Sequence, residues 1–419
     1  MPSLEVEFCG IRFPNPFLLS SAPPSGTGEM IARAFEAGWG GAVTKTLVLD
    51  EKPIRNVTPR LASLSFPGFE NEPKKIYALE NIELTSDRPF STWLNEIAEL
   101  AKRFPKNPVL ASIMADAGKK AEWQEMARRL EGAGARAIEL NFSCPHGGMP
   151  GEAVGCAIGQ DVGHTFRITS WVREVVRVPV LVKLTPNVTD VVPIGRAARD
   201  AGANGLVAIN SVASIPGVDL DTLVPLPSVA GWSAPGGLCG PAIKPIALRI
   251  VSELARGVGL PISGVGGIGT WQDAAEFLLL GASTVQVCSA VMLQGVGIVE
   301  DMRDGLLSWM EQKGLARIED FVGLSSKKLA DIMQLDRTFR LVSSVNEATC
   351  VRCDICFVAC RDGGSQAIRV REDRIPVIDE TRCSGCGLCV QACPVWGCMS
   401  MRPLAAALER TERSLRSER

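Results

Sequence analysis

Residues 109–143 read VLASIMADAGKKAEWQEMARRLEGAGARAIELNFS, and this stretch decides the fold class. Two short apolar segments, 109–114 and 137–143, flank a longer amphipathic segment, AEWQEMARRLEGAG. Short apolar segments of this kind are typical of buried strands, and the longer one is typical of a helix. A strand, a helix and a second strand in this order predict a parallel βαβ unit.

The same alternation continues through the first three hundred residues, with helical patterns such as WQDAAEFLLLGA between most strands. An open doubly wound sheet and a closed (β/α)8 barrel both satisfy this order. Eight strands in roughly 270 residues favour the barrel, whose typical length is about 250 residues. We therefore predict an α/β chain built on a (β/α)8 TIM barrel. The predicted strands are 17–22, 41–46, 109–114, 137–143, 180–185, 205–210, 261–266 and 284–289.

Many of these predicted strands end in a polar residue. Active sites of such barrels lie at the rim where the carboxyl ends of the strands meet. A loop anchor or a helix cap explains any one of these residues alone, whereas six together predict a site. Two long connections, 47–108 and 211–260, predict a lid or extra elements beside it. The polar strand ends are Ser21, Lys45, Asn141, Lys183, Asn210 and Ser289.

Composition excludes several classes of function. With 44 Lys and Arg against 46 Asp and Glu, the net charge of -2 provides no positive field for nucleic acid or an anionic membrane. The sequence contains no uninterrupted apolar run of about 18 residues, so no membrane-spanning helix is predicted. The opening MPSLEVEFCG lacks the apolar region of a secretion signal, so we expect a cytoplasmic protein. Two histidines rule out a three-His metal site and leave only His146 and His164 for a Ser-His-Asp triad.

Eight of the 14 cysteines form two C-x2-C-x2-C-x3-C runs. These runs are typical of bacterial ferredoxins, in which the fourth cysteine of each run ligates the cluster of the other run. Paired zinc sites are the alternative, although zinc sites usually combine separated C-x2-C pairs. Arg361 stands where the doubled pattern has a proline after the first run. We predict two [4Fe-4S] clusters, one held by Cys350, Cys353, Cys356 and Cys393 and the other by Cys360, Cys383, Cys386 and Cys389.

These motifs divide the chain into four predicted segments. They are a barrel over 1–310, a helical linker over 311–345, a 2[4Fe-4S] ferredoxin domain over 346–401 and a polar tail over 402–419. Cys398 lies outside both runs and is expected to be a packed thiol. The sequence assigns no role to three further cysteines, Cys9, Cys156 and Cys239.

Residues 264–269 read GVGGIG and match the G-x-G-x-x-G pattern of dinucleotide-binding folds. That fold opens with the motif, whereas here it follows the seventh strand, and about 20 residues on the chain reads TVQVCS in place of an acidic residue. In a barrel, the loops after strands seven and eight commonly bind phosphate through backbone N–H groups. We therefore predict a phosphate site at Gly266, Gly267, Cys288 and Ser289, with a tight turn lacking a ligand as the alternative.

Six segments together resemble the flavin barrels of the dihydroorotate and dihydropyrimidine dehydrogenases. The resemblance covers nearly the whole chain, including the appended cysteine-rich domain. It is strongest to the FMN and iron-sulfur subunits of bacterial NAD-dependent dihydropyrimidine dehydrogenases. The segments are ELNFSCPHGG at 139–148, GQD at 159–161, VKLTPNVTD at 182–190, AINSVASIPGVDLD at 208–221, CGPAIKPIAL at 239–248 and QVCSA at 286–290.

The resemblance implies FMN in the barrel. A fixed cation beside a flavin stabilises its anionic reduced form, and Lys183 would be costly to bury without an anionic partner. A salt bridge at the barrel mouth is the other interpretation of Lys183. The implied FMN-contacting residues are Ala22, Lys45, Thr46, Asn141, Lys183, Gly240, Gly266, Gly267, Cys288 and Ser289.

The resemblance also implies that Cys144 is the catalytic acid and base. Reduction of an activated C=C takes a hydride from the flavin at one carbon and a proton at the next, and a thiol with a pKa of about 8.5 can deliver that proton. His146 could tune the thiol, and an inert thiol is the alternative. Asn141, Asn210 and Ser211 match positions that bind the amide and carbonyl edge of a pyrimidine.

The chain departs from the family at two places. After 112–114 it reads ADAGKK, where eukaryotic relatives carry a substrate-binding Asn. The loop 148–158 also differs, because Cys156 is offset from the family pattern. Both departures bear on the identity of the substrate and on closure of the loop.

The implied function is reduction of uracil or thymine to 5,6-dihydropyrimidines, or the reverse reaction. Because this chain contains no intact dinucleotide-binding unit, NAD(P)H oxidation is expected on a flavoprotein partner subunit of a hetero-oligomer. The two clusters would carry electrons between that partner and FMN. Three alternatives stay open: a ferredoxin-linked FMN reductase of another unsaturated ring or enone, a dihydroorotate dehydrogenase-like enzyme, and a non-catalytic electron-transfer module.

Overall fold

A computed structural model of the chain describes residues 2–50, 55–66, 75–145 and 153–404. The chain divides into two compact units, Met1–Leu329 and Ala330–Arg419. The division falls inside the segment 311–345 that the sequence predicts as a linker. Of the predicted tail, residues 405–419 lie outside the described residues.

Eight parallel strands of the first unit form a closed barrel, which confirms the predicted fold class. Each strand pairs with its predecessor in the chain, and the last strand pairs with the first to close the ring. The strands end earlier than predicted because rim residues leave the ladder. For example, the Ser143 N–H donates to Asn141 Oδ1 and not to a neighbouring strand. The barrel strands are Phe17–Leu19, Gly41–Val43, Val109–Ile113, Ala137–Asn141, Val180–Leu184, Gly205–Ala208, Ile262–Val265 and Thr284–Val287.

Helices surround the barrel, and each presents an apolar stripe to it. In the helix Lys120–Gly132, Trp123, Met126, Ala127 and Leu130 are buried, which is the spacing of one helical face. The helices of this unit are Gly28–Ala37, Phe90–Arg103, Lys120–Gly132, Cys156–Gly159, Val162–Arg173, Val192–Asp200, Lys244–Gly257, Trp271–Leu279, Ser289–Gln294 and Ile298–Lys313.

A hairpin of two short strands, Val6–Phe8 and Ile11–Phe13, covers the amino-terminal end of the barrel. Its turn carries Cys9, whose thiol donates to the carbonyl oxygen of Asn204 at 3.2 Å. Burial raises the pKa of Cys9 to about 12, so the thiol stays protonated. Cys9 is therefore a packing residue at the end of the barrel opposite the rim.

The two long connections combine into one four-stranded antiparallel sheet, which we call the cap sheet. Its strands, in order, are Val212–Ser214, Gly236–Cys239, Ile76–Asn81 and Leu61–Ser65. Asn81 Nδ2 donates to the carbonyl oxygen of Gly237 at 2.8 Å and ties the two connections together. The sequence predicted extra elements in these connections but not their pairing.

The second unit contains two similar halves. Each half has a helix, Ile355–Gly363 or Leu388–Ala392, followed by a short strand, Ile368–Val370 or Met399–Pro403. The remaining strands, Pro376–Ile378 and Leu341–Val345, pair with these two antiparallel. Short 3-10 turns lie at Ile318–Asp320 and Ser326–Lys328 near the end of the first unit and at Ile332–Gln334 near the start of the second.

Across the ranges that the structure describes, no helix combines the length and the apolar character needed to cross a membrane.

Candidate flavin and iron-sulfur sites

An open cavity lies at the rim of the barrel, beneath the cap sheet, and encloses about 1320 Å³ of space continuous with solvent. All of the residues predicted for the barrel site line it. Their convergence follows from the fold, because the carboxyl ends of all eight strands meet at this rim. These residues are Ala22, Lys45, Thr46, Asn141, Cys144, Lys183, Asn210, Ser211, Gly240, Gly266, Gly267, Cys288 and Ser289.

Two lysines place positive charge in this cavity. Lys45 Nζ lies 2.7 Å from Glu83 Oε2, and Glu83 also accepts Arg60 Nε at 3.0 Å. Lys183 is 3% exposed and donates to Ser20 Oγ at 3.3 Å. Its nearest carboxylate oxygen, Glu139 Oε1, is 4.0 Å away. The pair with the buried Glu139 is a long ion pair, so Lys183 keeps donor capacity for an anionic group in the cavity.

A chain of hydrogen bonds fixes the amide side chains along the rim. Asn141 Nδ2 donates to Thr46 Oγ1 at 2.8 Å, and its Oδ1 accepts the Ser143 hydroxyl at 3.0 Å. Asn210 Nδ2 donates to Ser143 Oγ at 2.9 Å, and its Oδ1 accepts the Ser211 N–H at 2.8 Å. Because both ends of each amide are partnered, the orientation of both asparagines is set before a ligand binds.

Cys144 follows this network and lines the same cavity. Its carbonyl oxygen accepts the N–H of Cys156 at 2.9 Å, which closes the loop between the two cysteines. Gly155 approaches so closely that a Cβ there would lie 2.6 Å from the Cys144 carbonyl oxygen. His146, predicted as a neighbour that tunes the thiol, lies outside the described residues.

Asp116 occupies the segment 115–120, in which the family resemblance predicts a substrate-binding Asn that this chain lacks. Its Oδ1 accepts the N–H of Gly118 and its Oδ2 accepts the N–H of Ala153, both at 2.8 Å. The carboxylate thus anchors the end of the loop that follows Cys144. Asp116 is not among the residues that line the cavity.

The GVGGIG turn contributes backbone to the cavity beside Ser289, the first residue of the helix Ser289–Gln294. Gly266 and Gly267 have φ values of 129° and 76°, which side chains with a Cβ rarely adopt. Asp273 fixes the turn by accepting the N–H of Gly269 at 3.0 Å and Lys244 Nζ at 2.6 Å. Burial opposes the charge on Asp273, yet these hydrogen bonds outweigh it and lower its pKa.

Sequence reasoning missed several other residues that line the cavity, among them Asn81, Glu83, Cys239 and Gln286. Asn81 and Glu83 belong to the long connection, and the only available signal was a cluster of polar residues in ENIEL. Gln286 lies on the last barrel strand, and neither atom of its buried amide has a partner among the described residues. Burial raises the pKa of Cys239 and raises that of Cys288 to about 12, so both thiols are neutral.

In the second unit, each predicted ligand set surrounds its own cavity. The sets interleave because each half contributes three cysteines to one cavity and its fourth cysteine to the other. Among the described residues, no three Cys, His, Asp or Glu side chains converge on one point as they would around a single zinc ion. The cluster-one cavity, about 390 Å³, is lined by Cys350, Cys353, Cys356 and Cys393, and the cluster-two cavity, about 300 Å³, by Cys360, Cys383, Cys386 and Cys389.

These features fit the predicted cofactors. The barrel cavity offers a buried cation, an unpartnered Gln286 amide and a glycine turn with accessible backbone, which is the donor set that a flavin with a phosphate requires. Each smaller cavity contains the four thiols of one predicted ligand set, the number that a [4Fe-4S] cluster takes.

Comparison with known proteins identifies both domains. The family model for dihydroorotate dehydrogenase matches residues 3–310, and the model for the 4Fe-4S dicluster domain matches residues 343–401. The NAD-dependent dihydropyrimidine dehydrogenase subunit PreA of Escherichia coli (strain K12) is 38% identical over 375 residues, 88% of each chain. The chloroplastic dihydropyrimidine dehydrogenase (NADP(+)) of Arabidopsis thaliana is 41% identical over 330 residues, 77% of each chain.

A third relative contains the barrel without the rest. The catalytic subunit of dihydroorotate dehydrogenase B (NAD(+)) from Pyrococcus furiosus is 37% identical over 325 residues, 78% of this chain and 99% of that one. The match to the barrel therefore extends to both branches of the family. Because the family model spans most of the chain, this protein belongs to the dihydroorotate dehydrogenase family, as a flavin-dependent oxidoreductase barrel followed by a 4Fe-4S dicluster domain.

Proposed function

We propose that this protein interconverts uracil or thymine and the corresponding 5,6-dihydropyrimidine. The observation that carries the proposal is the arrangement of one thiol, Cys144, and two pre-oriented amides, Asn141 and Asn210, around one cavity. The names of two relatives, both dihydropyrimidine dehydrogenases, support the same reaction.

FMN is the proposed flavin. Gly266, Gly267 and Ser289 would hold its phosphate with backbone N–H groups and a hydroxyl, and Lys45 and Lys183 would balance its charge. When bound, the flavin would supply a hydride to one carbon of the pyrimidine ring or accept it from there, and Cys144 would exchange a proton with the neighbouring carbon. Lys183 is suited to balancing the charge of the flavin because burial strengthens its interaction with any anion in the cavity.

The protein supplies the proton. Cys144 is proposed to deliver a proton to the ring carbon beside the one that receives the hydride and to remove it in the reverse reaction. The loop that carries Cys144 is fixed at both ends, by Asn141 and Ser143 before it and by the bond to Cys156 after it. This attachment holds the thiol at the cavity wall.

Recognition of the ring is assigned to amides. A pyrimidine edge alternates carbonyl acceptors with N–H donors, and an Asn side chain offers one group of each kind. Asn141, Asn210 and Ser211 are the predicted contacts, and Asn81 adds a fourth polar group from the cap sheet. The donor of electrons is proposed to be a NAD(P)H-oxidising flavoprotein partner, since one relative is named a subunit of an NAD-dependent enzyme.

The proposal is tested by anaerobic reduction of the purified protein followed by addition of uracil, thymine or orotate. Wild-type protein is expected to reoxidise its flavin with uracil or thymine. A Cys144→Ala variant is expected to keep the flavin spectrum and to react about 10²–10⁴ times more slowly, the usual contribution of a positioned acid. Cys9→Ala, the same change at the opposite end of the barrel, serves as the control and should react at the wild-type rate.

A wild-type rate in Cys144→Ala would remove the thiol from the mechanism. Failure of both pyrimidines to reoxidise the flavin would exclude the pyrimidine reaction and leave the family assignment in place.

A second candidate is a reductase for another unsaturated ring or enone with ferredoxin as donor. Asp116 favours it, because this residue anchors a loop where relatives carry a substrate-binding Asn. Reoxidation by a cyclic enone, but by neither pyrimidine, would select this candidate.

A further inference from the structure

The cluster-one cavity contains a fifth thiol. Cys398 is 3% exposed and lines the cavity together with the four predicted ligands. The predicted coordination leaves it without a role, since four cysteines already satisfy one [4Fe-4S] cluster.

The second half of the domain provides a matched position without this thiol. Cys398 immediately precedes the strand Met399–Pro403, and Ala367 immediately precedes the strand Ile368–Val370 in the other half. The carbonyl oxygen of Cys398 accepts the N–H of Asn346 at 2.7 Å, and that of Ala367 accepts the N–H of Asp379 at 2.7 Å. Ala367 is 1% exposed and lines the cluster-two cavity. The two positions differ in the side-chain sulfur and in one backbone bond, because the N–H of Ala367 donates to Cys360 Sγ and that of Cys398 donates to the carbonyl oxygen of Val395.

The hydrogen bond that the Cys398 thiol donates is weak enough to be replaced by a bond to a stronger acceptor. The Cys398 thiol donates to the carbonyl oxygen of Asn346, and the distance of 3.8 Å is long even for a sulfur donor. Cys393 and Cys350 line the same cavity as Cys398, and the Cys393 side chain interacts with the Cys398 thiol. A cysteine that ligates iron is a thiolate, and a charged acceptor forms a shorter and stronger hydrogen bond than a distant carbonyl.

We propose that Cys398 is a positioning residue that donates an S–H hydrogen bond to the Cys393 thiolate of cluster one and raises the reduction potential of that cluster. Reduction adds negative charge to the cluster, and a hydrogen bond to a ligand sulfur stabilises the more negative form. The inference rests on the ligand assignment of the proposed function and is independent of the substrate.

The test uses the full chain, purified without oxygen, with iron content measured and both clusters titrated reductively by electron paramagnetic resonance. The variants are Cys398→Ala, which removes the donor, Cys398→Ser, which keeps one, and Ala367→Ser, which adds one to the other cavity. We expect Cys398→Ala to lower the potential of one cluster and to shift its oxidised-to-reduced ratio up to about tenfold, or about 59 mV for one electron. Cys398→Ser should stay near the wild-type value, and Ala367→Ser should raise the potential of the other cluster.

Three outcomes would overturn the inference. Unchanged potentials in Cys398→Ala with full iron content would show that the thiol does not act on the cluster. A raised potential would show that water entering the vacated space outweighs the hydrogen bond. Loss of about four irons would show that Cys398 is a ligand. Wild-type protein with fewer than about eight irons would instead overturn the ligand assignment itself, and loss of pyrimidine turnover would affect neither statement.

Discussion

Gly155 is the residue on which the position of the Cys144 loop depends most directly. Its φ of 54° lies in a region that residues with a Cβ rarely adopt, and a Cβ would lie 2.9 Å from the Cβ of Cys144. Gly155→Ala would therefore displace the backbone at Cys144 at a cost of about 1–3 kcal/mol. We expect at least a tenfold loss of turnover with the flavin spectrum retained, measured by anaerobic flavin reoxidation.

Gly132→Ala is the matched control for this substitution. Gly132 ends the helix Lys120–Gly132, and a Cβ there would meet nothing within 4 Å. The control should keep full activity. Equal activity in Gly155→Ala would show that the loop does not need this close approach.

At the residue scale, sequence reasoning succeeded where the fold determines position. Lys45, Asn141 and Lys183 end or follow barrel strands, so a correct barrel places them at the rim. Asn81 and Glu83 come from the cap sheet, and no local pattern indicates that this connection folds back over the cavity. The bond from Lys45 to Glu83 could not be predicted for the same reason.

The cap sheet is the element that covers the cavity, and it contains a buried carboxyl group, that of Glu80. Glu80 is fully buried in the strand Ile76–Asn81 and accepts the hydroxyl of Ser214 from the strand Val212–Ser214. Burial raises the pKa of this carboxyl, although the bond from Ser214 opposes the shift. The folded protein therefore holds this proton at pH values where the unfolded chain has released it.

The raised pKa predicts how stability depends on pH. As pH rises from the usual Glu range through the raised pKa of Glu80, the unfolded state gains from ionisation and the folded state loses stability. Glu80→Gln removes this dependence. The melting temperature of the variant should therefore rise relative to that of wild type across this window, and the difference should stay constant above it. Thermal unfolding at a series of pH values measures the difference.

Glu311→Gln, an exposed change on the helix Ile298–Lys313, is the control and should show no such trend. A constant difference between Glu80→Gln and wild type at every pH would contradict the argument.

At the element scale, the sequence predicted the barrel strands and the iron-sulfur runs because both are local patterns. The cap sheet escaped because its pairing joins distant segments: Asn81 and Gly237 are 156 residues apart. The register between such strands depends on tertiary packing. The sequence of each strand is too short to identify the strand with which it pairs.

At the scale of the whole molecule, the barrel unit ends later in the structure than the sequence predicts. The predicted barrel ends at residue 310, inside the helix Ile298–Lys313. The first unit continues to Leu329, and both Ile318 and Phe321 are fully buried in the barrel core. Phe321 also packs edge-on against Trp309, with ring centroids 5.2 Å apart. Composition alone did not reveal this extension because the segment is polar overall.

This difference predicts the behaviour of two fragments. A fragment of residues 1–329 keeps the complete core of the first unit and every residue that lines the barrel cavity, so it should fold, bind flavin and contain no iron. A fragment of residues 1–310 cuts a helix and removes two buried side chains, each contributing about 1.5–3 kcal/mol, so it should unfold at a lower temperature or aggregate. Flavin absorbance, iron content and thermal unfolding measure all three properties. Equal stability of the two fragments would place residues 311–329 outside the barrel, and iron in the longer one would mean that cysteines of the first unit bind metal.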